Sequence, residues 1–287
     1  MDFPPQAFII GAQKAGTTTL AHLLGQHPAI APCARKEPEF YTLNWERGVA
    51  WYRDLFRGAE GRMLLDASTN YTMAPREESR WARPNDPCGR EVARRIRQLR
   101  PDARFIYILR DRADRTYSAY LHTVRQGGEA RPFQQAIRER PGFLDPSHYH
   151  WQLSCYLEHF DLSAFCFVDF ADLCEAPERE ARRCLAFLGL PDGEVAFTQG
   201  RPLNQGYTYR ACGRWLRRAL GTERRMEALS AAVKGLLPES LHQPVRNLIA
   251  RRPDGLAGTD RAVLDDLFAR DAAALASLIG WNPRRPA

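Results

Sequence analysis

The chain has 287 residues, of which 44% are hydrophobic, and this is enough for one large α/β domain, which we expect over residues 1–287. No stretch approaches the roughly 18 apolar residues that span a bilayer, and the N-terminus from Met1 to Pro5 lacks the basic and apolar regions of a signal peptide. The net charge of +7 suits an anionic ligand, but charge alone does not separate a nucleotide from nucleic acid, an acidic glycan or a membrane surface.

The first predicted elements form a strand, a loop and a helix. Residues Ala7 to Gly11 are a short apolar run ending in glycine, which is typical of a parallel strand that is covered on both faces. A loop follows from Ala12 to Thr17. Leucines then recur at helical spacing until Pro28 ends the helix.

The same alternation returns later in the chain. A basic helix, Glu91 to Leu99, precedes the apolar run Phe105 to Leu109, which is followed by a helical stretch through Tyr120 and Val124. Two more strands and one more helix are predicted at Leu64–Leu65, Phe165–Val168 and Glu178–Leu188. Alternating strands and helices predict an α/β fold with a doubly wound, mostly parallel sheet and helices on both faces.

Two segments interrupt this pattern. Trp81 to Gly89 is rich in Pro, Asn, Asp and Gly and is predicted to be a loop. Gly213 to Gly258 is basic, loosely periodic and broken by prolines, which favours a helical insertion or lid near the C-terminus. The seven cysteines form no CxxC pair and are odd in number. We therefore expect neither a zinc site nor a complete disulfide framework, and we expect a soluble cytoplasmic protein.

The loop from Gly11 to Thr19 is the strongest functional signal in the sequence. It joins a buried strand to a helix N-terminus, where free backbone N–H groups and the helix dipole favour a bound phosphate. Gly16 lets the backbone approach a ligand, threonine hydroxyls add donors, and Lys14 adds a mobile positive charge. A P-loop kinase carries its lysine directly after the second glycine, whereas Lys14 precedes Gly16 by two positions. The sequence thus predicts a P-loop-like strand, loop and helix that bind an anion.

Two motifs resemble the sulfotransferases that use 3′-phosphoadenosine 5′-phosphosulfate (PAPS), and in particular the branch of heparan sulfate N- and O-sulfotransferases. Phe8 to Thr18 is similar to that branch's phosphosulfate loop, and Ile108 to Tyr120 is similar to its 3′-phosphate motif. Weaker matches run in the expected order, outside Gly213 to Gly258. They are Lys36–Tyr41, Gly48–Tyr52, Leu65–Tyr71, Phe187–Leu190 and Gly280–Trp281.

The resemblance implies an enzyme that moves the sulfuryl group of PAPS to a carbohydrate, lipid or natural-product acceptor. A hydroxyl is the expected accepting group, and an amine is the less favoured alternative. It implies that Arg110 and Ser118 hold the 3′-phosphate, for which a guanidinium fork and a hydroxyl are suited. It also implies that Gly206 and Tyr207 belong to a late loop that closes over the nucleotide. The implied phosphosulfate-binding residues are Lys14, Ala15, Gly16, Thr17, Thr18 and Thr19.

Two positions depart from the family pattern. Ala67 stands where the glycan O-sulfotransferases have a lysine, so the resemblance does not extend to glycan specificity. The late loop has Gln205 in place of a lysine, and its positive charge must come from elsewhere, with Arg201 and Arg210 as the candidates.

Sulfuryl transfer is analogous to phosphoryl transfer, an in-line displacement in which catalysis is mainly positioning and electrostatic stabilisation. Lys14 is the predicted catalytic residue, and it would stabilise the negative charge that builds on the leaving group. We expect no essential metal ion. Glu37 is the first candidate for the base, because it matches the glutamate of the heparan sulfate O-sulfotransferases. His122 is the rival, because it lies four residues after Ser118 on the same helix face and an N-sulfotransferase-like pattern also has a histidine near this point.

Two other functions stay open on the sequence alone. A small-molecule P-loop kinase would need ATP and Mg²⁺, and the displaced lysine argues against it. A non-enzymatic module would bind nucleic acid or an anionic membrane through a group of arginines. These are Arg214, Arg217, Arg218, Arg224 and Arg225. Neither function explains the motif around Arg110 and Ser118, so we expect a small-molecule, glycan or lipid acceptor and no nucleic-acid partner.

Overall fold

The computed structural model describes residues 3–76, 89–191, 195–198 and 254–283, and the backbone of two short strands at 208–209 and 250–251. The strands are β1 (Ala7–Gly11), β2 (Ile30–Pro32), β3 (Met63–Asp66), β4 (Arg104–Leu109), β5 (Phe165–Asp169), β6 (Thr208–Tyr209) and β7 (Ala250–Arg251). The helices are α1 (Thr17–Leu24), α2 (Gly48–Asp54), α3 (Glu91–Leu99), α4 (Arg112–Gln126), α5 (Phe133–Glu139), α6 (Tyr149–Leu157), α7 (Phe170–Glu175), α8 (Pro177–Phe187) and α9 (Gly258–Ile279).

Strands β1 to β5 form one parallel sheet in the order β2-β3-β1-β4-β5, and β6 and β7 form a separate antiparallel pair. Strand β1 is central, with Ala7 opposite Leu65 of β3 on one side and opposite Arg104 of β4 on the other. The chain leaves β1 towards β2 and later crosses from β3 to β4, so the direction of winding reverses between β1 and β4. Ligands of open α/β sheets bind at the carboxyl ends of the strands at such a reversal.

The centre of the sheet is buried on both faces. Every residue of β1 is buried, as are Phe105 to Leu109 of β4. The rings of Phe8, Phe105 and Phe165 form a stacked row across β1, β4 and β5, with centroids 5.7 and 4.9 Å apart. Because such strands must be covered on both sides, helices lie on each face: α8 packs on α1 and α7, while α6 packs on α3 and α9.

The α/β fold predicted from the sequence is confirmed, and two elements have the predicted bounds, the strand Ala7–Gly11 and the helix Glu91–Leu99. Strands β2, β6 and β7 and helices α2, α5, α6, α7 and α9 were not predicted. The segment expected to be a lid, Gly213 to Gly258, lies outside the described residues except for 250–251 and 254–258, and the expected loop lies outside them except for Gly89. Within the described part of the chain, no helix is both long and apolar enough to cross a bilayer.

Candidate active site

The loops that follow β1 and β4 meet at the carboxyl edge of the sheet. The Ala12 N–H donates to the Ile108 carbonyl (2.8 Å), and Arg110 Nη1 donates to the Lys14 carbonyl (2.7 Å). Two motifs that lie 96 positions apart in the chain are therefore in direct contact. The structure brings Lys14 and Arg110, both predicted to bind the same ligand, into one site.

The first turn of α1 presents an uncapped helix N-terminus. Gly16 precedes the helix with a φ of 84°, no side chain caps the helix, and the first turn contains no acidic residue. The first N–H groups of an α-helix lack intrahelical acceptors and carry the positive end of the helix dipole. The N–H groups of Thr17 and Thr18 are of this kind, whereas the Thr19 N–H already donates to the Gly16 carbonyl (3.0 Å).

Gly16 is required by packing as well as by its backbone conformation. A Cβ atom at this position would lie 3.1 Å from Leu173 Cδ2 and 3.2 Å from Phe170 Cε2, both on α7. Lys14 also has a positive φ, of 71°, so the loop turns through the left-handed region twice. The space that a side chain at position 16 would need is thus occupied by α7.

Arg110 is held in place by protein groups but keeps one donor unused. Its guanidinium lies 4.5 Å from the centroid of the Phe170 ring, and the Tyr149 hydroxyl donates to its main-chain carbonyl (2.8 Å). Its Nε atom is buried and makes no hydrogen bond, and burial lowers the pKa of the guanidinium. A buried cationic donor without a partner is costly, so this position suits a phosphate. Ser118 lies half-buried two turns along α4.

Lys14 lies among other positive charges. Its pKa is lowered to about 8, first by burial and then by the charges of Arg125, Arg110 and Lys36, while Glu37 acts in the opposite direction. A lysine with this pKa is readily stabilised in its charged form by an incoming anion, because the anion offsets both the burial and the repulsion.

His122 belongs to the same group of residues. Arg125 Nη2 donates to His122 Nδ1 (2.7 Å). Because arginine is only a donor, Nδ1 must supply the lone pair, and the neutral ring carries its proton on Nε2. Burial, followed by the charges of Lys14, Arg125 and Lys36, lowers the pKa of His122 to about 4. Near neutral pH the ring is therefore uncharged, and its Nε2 is a hydrogen-bond donor.

Glu37 lies next to the α1 N-terminus, in the segment that follows β2. It is half-buried, has a φ of 52°, and lines the same cavity as Thr17 and Thr18. The structure therefore places the first candidate for the base beside the turn that is suited to an anion.

A buried carboxylate supports the segment that carries Glu37. Asp66, at the end of β3, is fully buried, and burial raises its pKa to about 6. Its donors are the hydroxyls of Tyr52 (2.6 Å), Ser68 (2.7 Å) and Tyr71 (2.8 Å). The Ser68 hydroxyl in turn accepts from the Glu39 N–H (3.0 Å). This chain of hydrogen bonds fixes a segment in which both Glu37 and Glu39 have positive φ.

The cavity beside Glu37 has a volume of about 370 Å³ and runs along α1. It is bounded by α1, by the segment after β2 and by the end of β3. The lining residues are Thr17, Thr18, Ala21, His22, Gly25, Gln26, Pro32, Cys33, Ala34, Arg35, Lys36, Glu37, Leu65 and Ala67.

Sequence reasoning missed some of the site and named residues that the structure does not describe. Arg125 was missed, although its spacing of three from His122 on one helix was a usable signal. Phe170 comes from a helix that the sequence did not reveal. Gly206 and Tyr207 lie outside the described residues, as do all the arginines named for a binding module; strand β6, which begins at the next residue, lies beside α4.

Residues 5–194 match the model of the Sulfotransferase family. The chain is 32% identical over 196 residues to mouse heparan sulfate glucosamine 3-O-sulfotransferase 3A1, covering 65% of this chain and 46% of that protein. It is 31% identical over 195 residues to human heparan sulfate glucosamine 3-O-sulfotransferase 6, covering 65% and 52%. The chain thus spans about half the length of these curated relatives.

A more distant relative is the bifunctional heparan sulfate N-deacetylase/N-sulfotransferase 4 of mouse, with 27% identity over 66% of this chain and 23% of that protein. Among solved structures, the fold is similar to that of a sulfotransferase from Alicyclobacillus acidocaldarius. That comparison has a TM-score of 0.67 and 22% identity, and it covers 98% of this chain and 97% of the other.

Proposed function

Because the chain belongs to the sulfotransferase family, we propose that it transfers the sulfuryl group of PAPS to a hydroxyl acceptor, with an amine as the second choice. One observation carries the proposal: the bond from Arg110 Nη1 to the Lys14 carbonyl joins two anion-binding elements in one site. PAPS has two separate anionic groups, the 5′-phosphosulfate and the 3′-phosphate. Two adjacent anion sites suit this cofactor better than they suit a nucleotide with one phosphate chain.

The residues present fit the cofactor. The α1 N-terminus with Lys14 to Thr19 would hold the phosphosulfate, and Arg110 with Ser118 would hold the 3′-phosphate. The unpaired Nε of Arg110 supports this assignment, because a phosphate oxygen would satisfy it. We extend the assignment to Gly206 and Tyr207 on the resemblance alone.

When bound, PAPS supplies an activated sulfuryl group whose departure leaves negative charge on a phosphate oxygen. Lys14 would stabilise that charge by its ammonium group. Burial and the surrounding cations make this ammonium group unfavourable when it is unpaired, and the anion would offset both effects. Backbone N–H groups of Thr17 and Thr18 would orient the same end of the nucleotide.

Glu37 is the proposed base for a hydroxyl acceptor. It lines the cavity next to Thr17 and Thr18, whereas the lone pair of His122 Nδ1 is already engaged by Arg125. The Nε2–H of His122 makes this residue a donor to an anionic oxygen, which is a positioning role. The geometry therefore favours Glu37 over His122 for accepting the proton.

Binding of 3′-phosphoadenosine 5′-phosphate, measured by calorimetry, tests the proposal against a kinase and against a nucleic-acid module. We expect this nucleotide to bind at least about tenfold more tightly than ATP or a short oligonucleotide, because only it places a phosphate at Arg110. Arg110→Ala should weaken it by roughly 1.5–3 kcal/mol, the usual worth of a charged hydrogen bond.

Arg104→Ala is the matched control, because Arg104 lies on the same strand, is exposed and donates instead to the Phe187 carbonyl. Equal affinity for ATP and for the 3′-phosphorylated nucleotide would contradict the proposed cofactor. Tight binding of the oligonucleotide alone would favour the non-enzymatic module.

We also propose a cytoplasmic location. The five cysteines that the structure describes are free thiols, and burial raises the pKa of Cys33 to about 12 and so keeps that thiol unreactive. Fractionation of cells that make the protein, followed by immunoblotting, tests this location, and recovery outside the cytoplasm would contradict it.

A further inference from the structure

We infer that the acceptor is a compact, largely apolar hydroxyl compound, such as a phenol of one or two rings, which binds in the cavity along α1. This inference rests on the proposed function, since it takes Glu37 as the base and the α1 N-terminus as the phosphosulfate site. It proposes that the cavity holds the part of the acceptor that does not react, and it so names a substrate class.

The cavity reaches the proposed base and the N-terminus of α1. Thr17, Thr18 and Glu37 form part of its lining, so a hydroxyl held near them would lie between the proposed base and the proposed sulfuryl donor. The remaining lining extends along α1 as far as Gly25 and Gln26. A molecule bound by its body in the cavity would therefore present one end to the site of transfer.

The walls of the cavity are small and mostly apolar. Ala21 of α1, Leu65 of β3 and Ala67, which follows β3, contribute no hydrogen-bonding side chain. Pro32, Cys33 and Ala34 continue this surface after β2. Burial of apolar area is what binds a ligand in such a site, with a few polar groups to orient it.

Among the lining residues that the structure describes, the Lys, Arg, Asp and Glu side chains come from one short segment. Arg35, Lys36 and Glu37 are consecutive, and the two cations are exposed. The Arg35 guanidinium lies 5.9 Å from the centroid of the Trp51 ring, so it also packs on a neighbouring aromatic side chain. A polyanionic chain would need cations spread along its path, and the lining residues that the structure describes include no Lys or Arg on α1.

The size of the cavity gives a limit on the acceptor. Its 370 Å³ is about two and a half times the roughly 150 Å³ cavity that holds a benzene ring, so two fused rings would fill it. A Lys side chain in place of Ala67 would take up part of this volume and introduce a charge. Alanine at this position therefore leaves room for an apolar acceptor.

The test compares 2-naphthol, benzyl alcohol and a sulfated glucosamine–glucuronate tetrasaccharide as acceptors with PAPS as donor. We expect turnover of 2-naphthol with a kcat/KM at least about tenfold above that of the tetrasaccharide. Ala21→Phe fills the cavity and should raise the KM for 2-naphthol by about tenfold or more, with the affinity for 3′-phosphoadenosine 5′-phosphate changed by less than about twofold.

Ala273→Phe is the matched control, because Ala273 is an exposed alanine on α9, and it should leave both values unchanged. Ala67→Lys provides a second variant in the cavity lining, directly after β3, and should also impair 2-naphthol turnover. Turnover of the tetrasaccharide that is insensitive to both cavity variants would overturn the inference, as would nucleotide binding without turnover of either small alcohol. Failure to bind the nucleotide at all would instead overturn the proposed function on which the inference rests.

Discussion

At the scale of single residues, Lys14 is held in a site where its charge is unfavourable until an anion arrives. Its pKa of about 8, below the usual value because of burial and three neighbouring cations, means that a substantial fraction is neutral at pH 8 to 8.5. A bound phosphosulfate would raise this pKa again. Nucleotide affinity should therefore fall as pH rises through about 8, since the charged form of Lys14 is the one that binds.

The measurable consequence is proton uptake. At pH 8.5, binding of 3′-phosphoadenosine 5′-phosphate should take up roughly half a proton or more, and at pH 6.5 the part due to Lys14 should be close to zero. Calorimetry in two buffers that differ in ionisation enthalpy measures this number. Lys14→Ala should abolish the uptake at pH 8.5, and an unchanged value in this variant would assign the proton to another group.

Glu37 and His122 differ in whether a lone pair is free, and a pair of variants separates their roles. Glu37→Gln keeps size and polarity but removes proton acceptance, so kcat should fall by about 10²–10⁴ while nucleotide affinity stays within a few-fold. Stopped assays measure kcat, and calorimetry with 3′-phosphoadenosine 5′-phosphate measures the affinity.

His122→Ala is the comparison for that experiment. It removes a donor that is neutral near pH 7, so it should lower kcat less than Glu37→Gln does. An inactive His122→Ala enzyme together with a nearly normal Glu37→Gln enzyme would reverse the two assignments.

At the scale of elements, helix α9 supports the start of α4. Asp111 caps α4 by accepting from the Asp114 N–H (2.9 Å), and Arg261 of α9 forms ion pairs with both carboxylates. Arg261 does not belong to either sequence motif. Its contacts nevertheless fix the turn between Arg110 and the helix that carries Ser118.

Arg261→Ala should therefore weaken nucleotide binding by about three- to tenfold without removing a ligand contact, because the turn after β4 loses a partly buried pair of bonds. Calorimetry with 3′-phosphoadenosine 5′-phosphate measures the change. Arg270→Ala, at an exposed arginine of the same helix, should have no effect. Equal effects of the two variants would point to a general loss of positive charge.

Some elements of the fold could be predicted from the sequence, and others could not. Strand β1 and helix α3 could be predicted because an apolar run and a strong amphipathic period each fix one structure locally. Strand β2 has three residues, too few for a pattern, and α9 has only weak amphipathic periodicity. The hydrogen bonds around Asp66 come from two separate segments of chain, so no local pattern could have predicted them. The same holds for the cavity, which three elements form together.

At the scale of the whole molecule, α9 joins two hydrophobic clusters. Leu264 and Phe268 belong to the smaller cluster with residues of α4 and α5, whereas Leu275 belongs to the main core. Asp271, between them, accepts from the N–H groups of His150 (3.2 Å) and Trp151 (3.1 Å) at the start of α6. We expect the two clusters to unfold together.

Phe268→Ala should lower the free energy of unfolding by about 3–5 kcal/mol, because it removes a buried aromatic ring from the smaller cluster. Urea titration followed by circular dichroism and by tryptophan fluorescence should give one coincident transition. Leu267→Ala is the control: Leu267 is 40% exposed and should cost less than about 1 kcal/mol. Separate transitions for the two signals would show that α9 does not couple the clusters.

The central position of β1 also determines when the site can form during synthesis. Ala7 pairs with Leu65 and Arg104, and the Ala12 N–H and the Lys14 carbonyl are bonded only by Ile108 and Arg110. At a translation rate of about 5–20 residues per second, roughly 5–20 seconds pass between the appearance of β1 and that of β4. Until β4 emerges, β1 can pair only with β3 and lacks its neighbour on the other side, so part of an apolar strand stays exposed on the nascent chain. The proposed nucleotide site can form only after the residues of β4 and Arg110 have emerged.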